Sequence, residues 1–411
     1  MIQRNYMIPF SPPHIRQEAI DEVVDTLKSG WITTGPKTKL FEQRLTEYCG
    51  AKKTLCVSSA TFGLEIILRW FGIGEGDEVI IPAYTYTATA NTVVHTGAKP
   101  IMVDVNPDDF NISIRAIEKA ITSKTKAIIP VDIAGLPVDT NSILSLINTD
   151  KILNLFQAKG EIQEKLARIL VLSDSAHSLG ARLHQAKVGA FADITVFSFH
   201  AVKNLTTAEG GAIAFNMPRP FDNEAIYRNI NTISLHGQSK DALSKTQKGA
   251  WKYDVIHSGY KGNMTDIQAS LGLIALKYYE IDNLPRRKQI IERYQKAFAK
   301  YEWAELPILK DEIRETSYHI YTLRIKNISE GQRDEIIKEI FDKDVSVNVH
   351  FQPLPLFSTY KDRGYNIADY PISYDNYSRE ITLPVYEDLS DEQVERVIAA
   401  TIDSVNKICY A

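Results

Sequence analysis

The chain has 411 residues, of which 44% are hydrophobic, and its formal net charge is −4. This length supplies enough apolar side chains for a large core and for two or three structural units. The small net charge, with acidic and basic residues mixed along the chain, argues against nucleic acid or an anionic membrane as a partner.

The cysteines and the N-terminal sequence favour a cytoplasmic protein. Cys49, Cys56 and Cys409 show no CxxC spacing and leave at least one thiol unpaired, which argues against a disulfide framework and against a zinc site. The N-terminus has no signal-peptide pattern, and nowhere do about eighteen apolar residues follow one another. We therefore expect a reducing compartment, no membrane segment and no bound metal.

Seven short β-rich runs recur through the first half of the chain. Several are apolar almost throughout, which is typical of strands covered on both faces, and helical stretches such as FGLEIILRWFG and IRAIEKAITS lie between them. The pattern predicts a layered α/β domain. The runs are KTLCVSS near residue 53, DEVIIPA near 77, KPIMVDV near 99, KAIIPVDI near 126, RILVLSD near 168, ADITVFSF near 192 and GAIAFN near 211.

The rest of the chain shows more helical periodicity. The amphipathic segment 141–168 predicts one or two crossover helices, and MTDIQASLGLIALKYYEIDNLPRRKQIIERYQKAFAKY is the longest helical stretch. The later runs HIYTLRIK, RDEIIKEIFDK, VSVNVHF and DEQVERVIAATIDSVNK alternate strand and helix. They predict a smaller α+β domain beside the first.

Polar side chains follow several of these predicted strands. In SFHAVKNLTTAEGG a strand ends near Ser198, so that Ser198, His200 and Lys203 lie at a strand end, where open α/β sheets bind ligands. Another strand ends at Asp174, with His177 close behind it. Taken alone, Lys203 is more simply explained as a surface lysine, and Asp174 could equally well be a helix N-cap.

Two further stretches add an anion cradle and an aromatic face. CVSSATFGLEIIL delivers Ser58, Ser59, Ala60 and Thr61 to a first helical turn, where free N–H groups hold phosphate, although ordinary capping explains them too. In IPAYTYTATANTV either Tyr84 or Tyr86 offers a ring to a flat ligand. A lysine, an acid, a phosphate cradle and an aromatic face are together the requirements of pyridoxal phosphate.

With these residues in order, the chain resembles the sugar aminotransferases of the DegT/DnrJ/EryC1/StrS family. The resemblance implies an α/β fold-type-I transferase that depends on pyridoxal phosphate, with a mostly parallel seven-stranded central sheet. It implies an N-terminal segment 1–30, a large cofactor-binding domain 31–255 and a small C-terminal α+β domain 256–411. The resemblance rests on SGWITTGPKTKLFE, IPAYTYTATANTVVHTGAKPIMVDV, LSDSAHSLGA, DITVFSFHAVKNLTTAEGGAI, SLHGQSKDA, GYKGNMTDIQASLGL, VHFQPLPLF and LPVYEDLSDEQVERVI.

The resemblance also implies a role for each matching residue. Lys203 binds the cofactor covalently, Asp174 pairs with its pyridinium nitrogen, and His177 lies near its phenolic oxygen. Tyr86 stacks on the ring. The phosphate-binding positions are Ala60, Thr61 and Ser198, and the substrate-side positions are Thr34 and His350.

The active site of the family lies between two subunits, so the resemblance implies a homodimer. The loop GYKGNM matches the one that a neighbour sends to the cofactor phosphate, with Lys261 or Asn263 as the donor. Many relatives carry an aromatic residue where this chain has Gly262.

The implied reaction is amino transfer from an amino acid, foremost glutamate, to a keto sugar. Lys203 favours a transaminase over some of the family's deoxysugar dehydratases, which carry histidine at this position. The motifs look most like enzymes that aminate C4 of a nucleotide-linked 4-keto-6-deoxyhexose, often an N-acetylated UDP sugar, in surface-polysaccharide or glycan biosynthesis. A C3-keto, dTDP- or GDP-linked sugar, a cyclitol, and a non-catalytic sensor stay open, whereas a nicotinamide-dependent epimerase would need a GxGxxG run that is missing.

Overall fold

The computed structural model describes residues 7–239 and 252–410. Its strands fall into one large sheet and two small ones. The strands are β1 Lys53–Val57, β2 Glu78–Pro82, β3 Lys99–Val103, β4 Thr125–Ile128, β5 Leu170–Asp174, β6 Arg182–Leu183, β7 Ala186–Lys187, β8 Ile194–Ser198, β9 Gly211–Phe215, β10 Ala304–Glu305, β11 Arg314–Glu315, β12 Tyr321–Ile325 and β13 Glu380–Leu383.

The large sheet has seven strands in the order β1-β9-β8-β5-β4-β2-β3. Neighbours from β8 to β3 pair in parallel, whereas β9 runs antiparallel to both β8 and β1. These are the seven strands predicted from the sequence, and the mostly parallel α/β fold is confirmed. Their nearly continuous apolar runs are buried because helices cover both faces of the sheet.

Helices fill the connections between strands and much of the C-terminal part. They are α1 Gln17–Ser29, α2 Pro36–Cys49, α3 Ala60–Trp70, α4 Thr87–His95, α5 Ile114–Ala120, α6 Thr140–Ile147, α7 Asp150–Leu153, α8 Glu161–Leu166, α9 Asn223–Ser234, α10 Asp266–Tyr278, α11 Leu284–Phe298, α12 Glu330–Phe341, α13 Ser358–Lys361, α14 Pro371–Arg379 and α15 Asp391–Cys409. Within the two described ranges, no helix is both long and apolar enough to cross a membrane.

The long predicted helical stretch is present as α10 and α11, joined by the π-helical turn Tyr279–Asn283. Pro285 lies in the first turn of α11 and has no N–H to donate, so regular α-helical hydrogen bonding cannot run through this point. Helix α10 packs on α1 and α2, beside the large sheet.

Two predictions were wrong in detail. Segment 141–168 forms three short helices, α6 to α8, rather than one or two. Residues of α6 and α7 pack into one apolar cluster and Leu166 of α8 into another, so the chain must turn between them. The run VSVNVHF is not a strand, because it makes only isolated β-bridges, from Val345 to Ile8 and from Asn348 to Thr382.

The C-terminal part contains its own sheet, β10-β12-β13, and its own apolar cluster. Helices α11, α12 and α15 contribute side chains to that cluster, as expected for a small α+β unit. The domain boundaries at residues 30 and 255 stay predictions. The motif SLHGQSKDA reaches into residues 240–251, which lie outside the described ranges.

Candidate active site

A cavity of about 450 Å³ opens at the carboxyl ends of β5 and β8. This is the edge at which parallel α/β sheets place ligands. Ten of the residues singled out in the sequence line it: Ser59, Ala60, Thr61, Tyr86, Asp174, His177, Ser198, His200, Lys203 and His350.

Asp174 is the last residue of β5 and is only 6% exposed. Its Oδ2 accepts a hydrogen bond from Thr89 Oγ1 at 2.8 Å, and its Oδ1 accepts one from the Ala176 N–H at 3.3 Å. Burial raises the pKa of Asp174, while these two donors and the nearby Lys203 ammonium oppose that rise. The carboxylate is therefore held in one orientation by Thr89 of α4, a contact that the sequence did not reveal.

Lys203 lies in the turn after β8, where its N–H donates to the His200 carbonyl at 2.9 Å. Burial lowers the pKa of Lys203 to about 8, and the charge of Asp174 acts in the opposite direction. A lysine with this pKa is partly unprotonated near neutrality, as a nucleophilic amine requires. The negative charge of Asp174 keeps the pKa of Lys203 from falling further.

Three histidine rings gather beside the lysine. The ring centroids of His177 and His319 are 4.4 Å apart, and His177 stacks on Phe351 at 5.6 Å. Burial lowers the pKa of both His177 and His319 well below the usual value, and it lowers that of His350 to about 4. All three imidazoles are therefore neutral at pH 7, and the Lys203 charge contributes to each shift.

Asn204 connects the lysine loop to the C-terminal part of the chain. Its Nδ2 donates to the Ser317 carbonyl at 2.8 Å, which leaves Oδ1 to accept from His319 Nδ1 at 2.7 Å. Asn204 Nδ2 also donates a hydrogen bond to the Tyr279 hydroxyl oxygen at 3.2 Å. Sequence reasoning missed His319 and Asn204, although the polar run TSYH before β12 and the asparagine next to Lys203 were available signals.

The first turn of α3 lies where the sequence predicts the anion cradle. Ser59 caps the helix, with its Oγ accepting from the Phe62 N–H at 3.1 Å, and Ala60 and Thr61 follow with first-turn N–H groups. Strand β9 passes so close that a Cβ on Gly211 would lie 2.5 Å from the Ala60 nitrogen. The cradle therefore depends on a glycine opposite it as well as on its own residues.

The structure separates the two tyrosines between which the sequence left a choice. Tyr86 lines the cavity and is 61% exposed, with its ring 6.0 Å from Phe351. Tyr84 is fully buried, and its hydroxyl donates to the His350 carbonyl at 2.6 Å. Only Tyr86 of the two can offer its ring to a ligand in this cavity.

Three predicted positions do not line the cavity of their own chain: Thr34, Lys261 and Asn263. Asn263 Nδ2 donates to Thr34 Oγ1 at 2.6 Å. At the neighbouring Gly262, a Cβ would lie 2.2 Å from the Phe62 ring, so Phe62 occupies the space that an aromatic residue at position 262 would need. The roles of Thr34, Lys261 and Asn263 stay predictions.

Residues 13–401 match the model of the DegT/DnrJ/EryC1/StrS aminotransferase family. The chain belongs to this family.

Solved structures and full-length relatives agree with that assignment. The PMP-form of Spr1654 from Streptococcus pneumoniae superposes with a TM-score of 0.94 at 46% identity, covering 98% of this chain and 100% of that one. Its PLP-form gives a TM-score of 0.93 at 44% identity, with the same coverage. The uncharacterized protein MJ1066 of Methanocaldococcus jannaschii is 40% identical over 97% of this chain and 98% of its own. The spore coat polysaccharide biosynthesis protein SpsC of Bacillus subtilis is 38% identical over 98% and 99%.

As a member of this family, the protein is a PLP-dependent sugar aminotransferase. Its own residues fit the cofactor. The cavity places a low-pKa lysine near a buried carboxylate and beside a helix N-terminus, and His177 Nδ1 is buried there without a hydrogen-bond partner. Burying a nitrogen without a hydrogen-bond partner costs folding free energy, unless a bound ligand supplies that partner.

Proposed function

We propose that the enzyme transfers an amino group from an amino acid, foremost L-glutamate, to C4 of a nucleotide-linked 4-keto-6-deoxyhexose. The favoured substrate is a UDP-2-acetamido-4-keto-2,6-dideoxyhexose, and the product serves polysaccharide or glycan synthesis. Amino transfer is supported above all by Lys203, with its pKa lowered to about 8, lining the same cavity as buried Asp174. The sugar is supported by the family motifs, and the pathway by the relative SpsC.

Lys203 carries the proton movements of this proposal. Pyridoxal phosphate, when bound, supplies an aldehyde that carries the amino group and a ring that accepts electrons. In the first half-reaction the unprotonated Lys203 Nζ would remove a proton from the α-carbon of the amino donor and deliver it to the cofactor's aldehyde carbon, C4′. In the second it would take a proton from C4′ and deliver it to the sugar carbon that becomes aminated. Because the two half-reactions are the reverse of each other, one lysine serves both.

Asp174 and His177 hold the cofactor in its reactive state. Asp174, fixed by Thr89, presents a carboxylate that favours a protonated ring nitrogen through a charge-assisted hydrogen bond. His177, whose buried Nδ1 has no hydrogen-bond partner, would contact the phenolic oxygen of the cofactor. The N–H groups of Ala60 and Thr61 and the Ser198 hydroxyl bind the phosphate, and Tyr86 covers the ring.

A homodimer completes the site in this proposal. The loop with Lys261 and Asn263 of one subunit reaches the cofactor phosphate of the other, and Thr34 and His350 contact the sugar side. Exposed apolar residues on α1, among them Ile20 at 45% and Leu27 at 53% exposed, provide a surface for association.

Absorbance and peptide mapping test the cofactor chemistry. We expect purified protein to be yellow, borohydride to fix the cofactor on the peptide that contains Lys203, and Lys203→Ala to abolish transfer from glutamate. Lys261→Ala serves as a matched lysine control, since it should weaken cofactor binding without removing the covalent link. A preparation that stays colourless and inactive with added cofactor contradicts the proposal.

A panel of nucleotide-linked keto sugars tests the substrate. The 4-keto N-acetylated UDP sugar should be aminated with the highest kcat/KM, ahead of the dTDP-, GDP- and 3-keto analogues. A yellow protein that aminates none of them would be a sensor rather than an enzyme, and a preference for another sugar would overturn the assigned substrate.

A further inference from the structure

A hydrogen-bonded chain of three residues runs from the buried interior to the cavity. Glu380 Oε1 lies 2.5 Å from Thr382 Oγ1, and Thr382 Oγ1 lies 3.0 Å from His350 Nδ1. The other carboxyl oxygen of Glu380 accepts the His350 backbone N–H at 3.0 Å. Glu380 and Thr382 are on β13 and fully buried, whereas His350 lines the cavity with its Nδ1 already bound to Thr382.

We propose that Glu380 and Thr382 are positioning residues that decide which ring nitrogen of His350 carries the proton, and so whether His350 offers the substrate a donor or an acceptor. A backbone N–H only donates, so Glu380 Oε2 is an acceptor in every state. Only Oε1 can carry a proton toward Thr382. The direction of the remaining two hydrogen bonds follows from that one proton.

When Glu380 is protonated, Oε1 donates to Thr382 and the Thr382 hydroxyl donates to His350 Nδ1. A neutral imidazole then carries its proton on Nε2, which becomes a donor toward the cavity. When Glu380 is ionised, Thr382 donates to Oε1 and His350 Nδ1–H donates to Thr382. Nε2 is then a lone pair, and His350 has changed from donor to acceptor without changing its charge.

The surroundings of Glu380 set the pH at which these hydrogen bonds reverse. Burial raises the pKa of Glu380 to about 8. The hydrogen bonds from Thr382 and the His350 N–H oppose this rise, and the charges of Arg333 of α12 and Arg324 of β12 oppose it less. The phenol of Tyr84 also faces this carboxyl, and burial keeps its pKa well above the usual value. On the other side Lys203 opposes protonation of His350, so the imidazole stays neutral while Glu380 titrates.

At neutral pH, His350 should therefore favour a substrate oxygen that can only accept a hydrogen bond. Protonated Glu380 makes His350 Nε2 a donor, which suits the keto oxygen of a sugar. This substrate assignment rests on the proposed function, whereas the assignment of the tautomer does not. Losing one such hydrogen bond is expected to raise KM for the keto sugar about tenfold.

Neutron diffraction from deuterated holoenzyme crystals at pH 6.5 and pH 9.5 tests the tautomer directly. Wild type should carry deuterium on His350 Nε2 at the lower pH and on Nδ1 at the higher. Glu380→Gln is the matched control: its carbonyl must accept the His350 N–H, so its amide donates to Thr382 and holds deuterium on Nε2 at both pH values. The same nitrogen occupied at both pH values in wild type, or a shift in Glu380→Gln like that in wild type, overturns the proposal.

Kinetics add a second measurement. From pH 7 to pH 9, KM for the keto sugar should rise about tenfold more in wild type than in Glu380→Gln, since both proteins share the titration of Lys203. Thr382→Ser should keep the wild-type profile, and Thr382→Val should lose it. Equal profiles in all four proteins would show that the chain only supports the fold. Inactivity on every sugar would contradict the proposed function, whereas the neutron experiment would still test the tautomer of His350.

Discussion

At the scale of single residues, the reactive amine is tuned by its surroundings. Lys203 reaches a pKa of about 8 because desolvation disfavours the ammonium, while Asp174 limits the shift. The same ammonium disfavours a second positive charge on His177, His319 and His350. The Lys203 ammonium thus acts beside three imidazoles that stay neutral hydrogen-bonding groups.

This tuning predicts how the apoenzyme recovers its cofactor. Only the neutral amine attacks an aldehyde, and its fraction grows as pH rises through the folded-state pKa. The second-order rate of pyridoxal phosphate attachment, followed by absorbance, should therefore rise from pH 6 and level off above about pH 8. Asp174→Asn removes the opposing charge, so its midpoint should move to lower pH. A midpoint near the ordinary lysine value of about 10.4 would contradict the burial argument.

At the scale of secondary-structure elements, the close approach of β9 to α3 shapes the anion cradle. A Cβ on Gly211 would meet backbone atoms of Ser59, Ala60 and Phe197 at 2.5 to 2.8 Å. We expect Gly211→Ala to cost about 1–3 kcal/mol of unfolding free energy and to weaken cofactor binding. Urea denaturation and cofactor titration measure the two effects.

Gly331 provides the control for that substitution. It lies in α12 with no atom within 4 Å of an added Cβ, so Gly331→Ala should stabilise the protein by about 0.5–1 kcal/mol and leave cofactor binding unchanged. If the two variants behave alike, the contact between β9 and the cradle has no special role.

Much of this arrangement could be predicted because it is local. The seven strands follow from apolar runs, and Asp174 and Lys203 were predicted at the site because Asp174 ends one strand and Lys203 follows the end of another. Helix α1 was missed, since its apolar side chains alternate with charges and its partner α10 lies more than two hundred residues away. Contacts such as Thr89 to Asp174 join distant segments, and no local pattern announces them.

At the scale of the whole molecule, an exposed apolar face of α1 predicts where two copies of the chain associate. Ile20, Val24 and Leu27 recur at helical spacing on α1 and are all at least 39% exposed. We expect this face to lie in the proposed homodimer interface, so that Leu27→Asp should raise the dimer dissociation constant about tenfold to a hundredfold, measured by sedimentation equilibrium. Tyr410→Asp, on an exposed C-terminal residue, should have no effect. An unchanged dimer in Leu27→Asp would assign the interface elsewhere.

The Asn204 side chain carries a further implication for protein engineering. This side chain connects the loop that carries Lys203 to Ser317 and His319, which lie more than a hundred positions later in the sequence. Chimeras that exchange one half of the chain for that of a relative would break this tie unless both ends are transferred together. Swaps intended to alter sugar preference should therefore keep Asn204, Ser317 and His319 from a single parent.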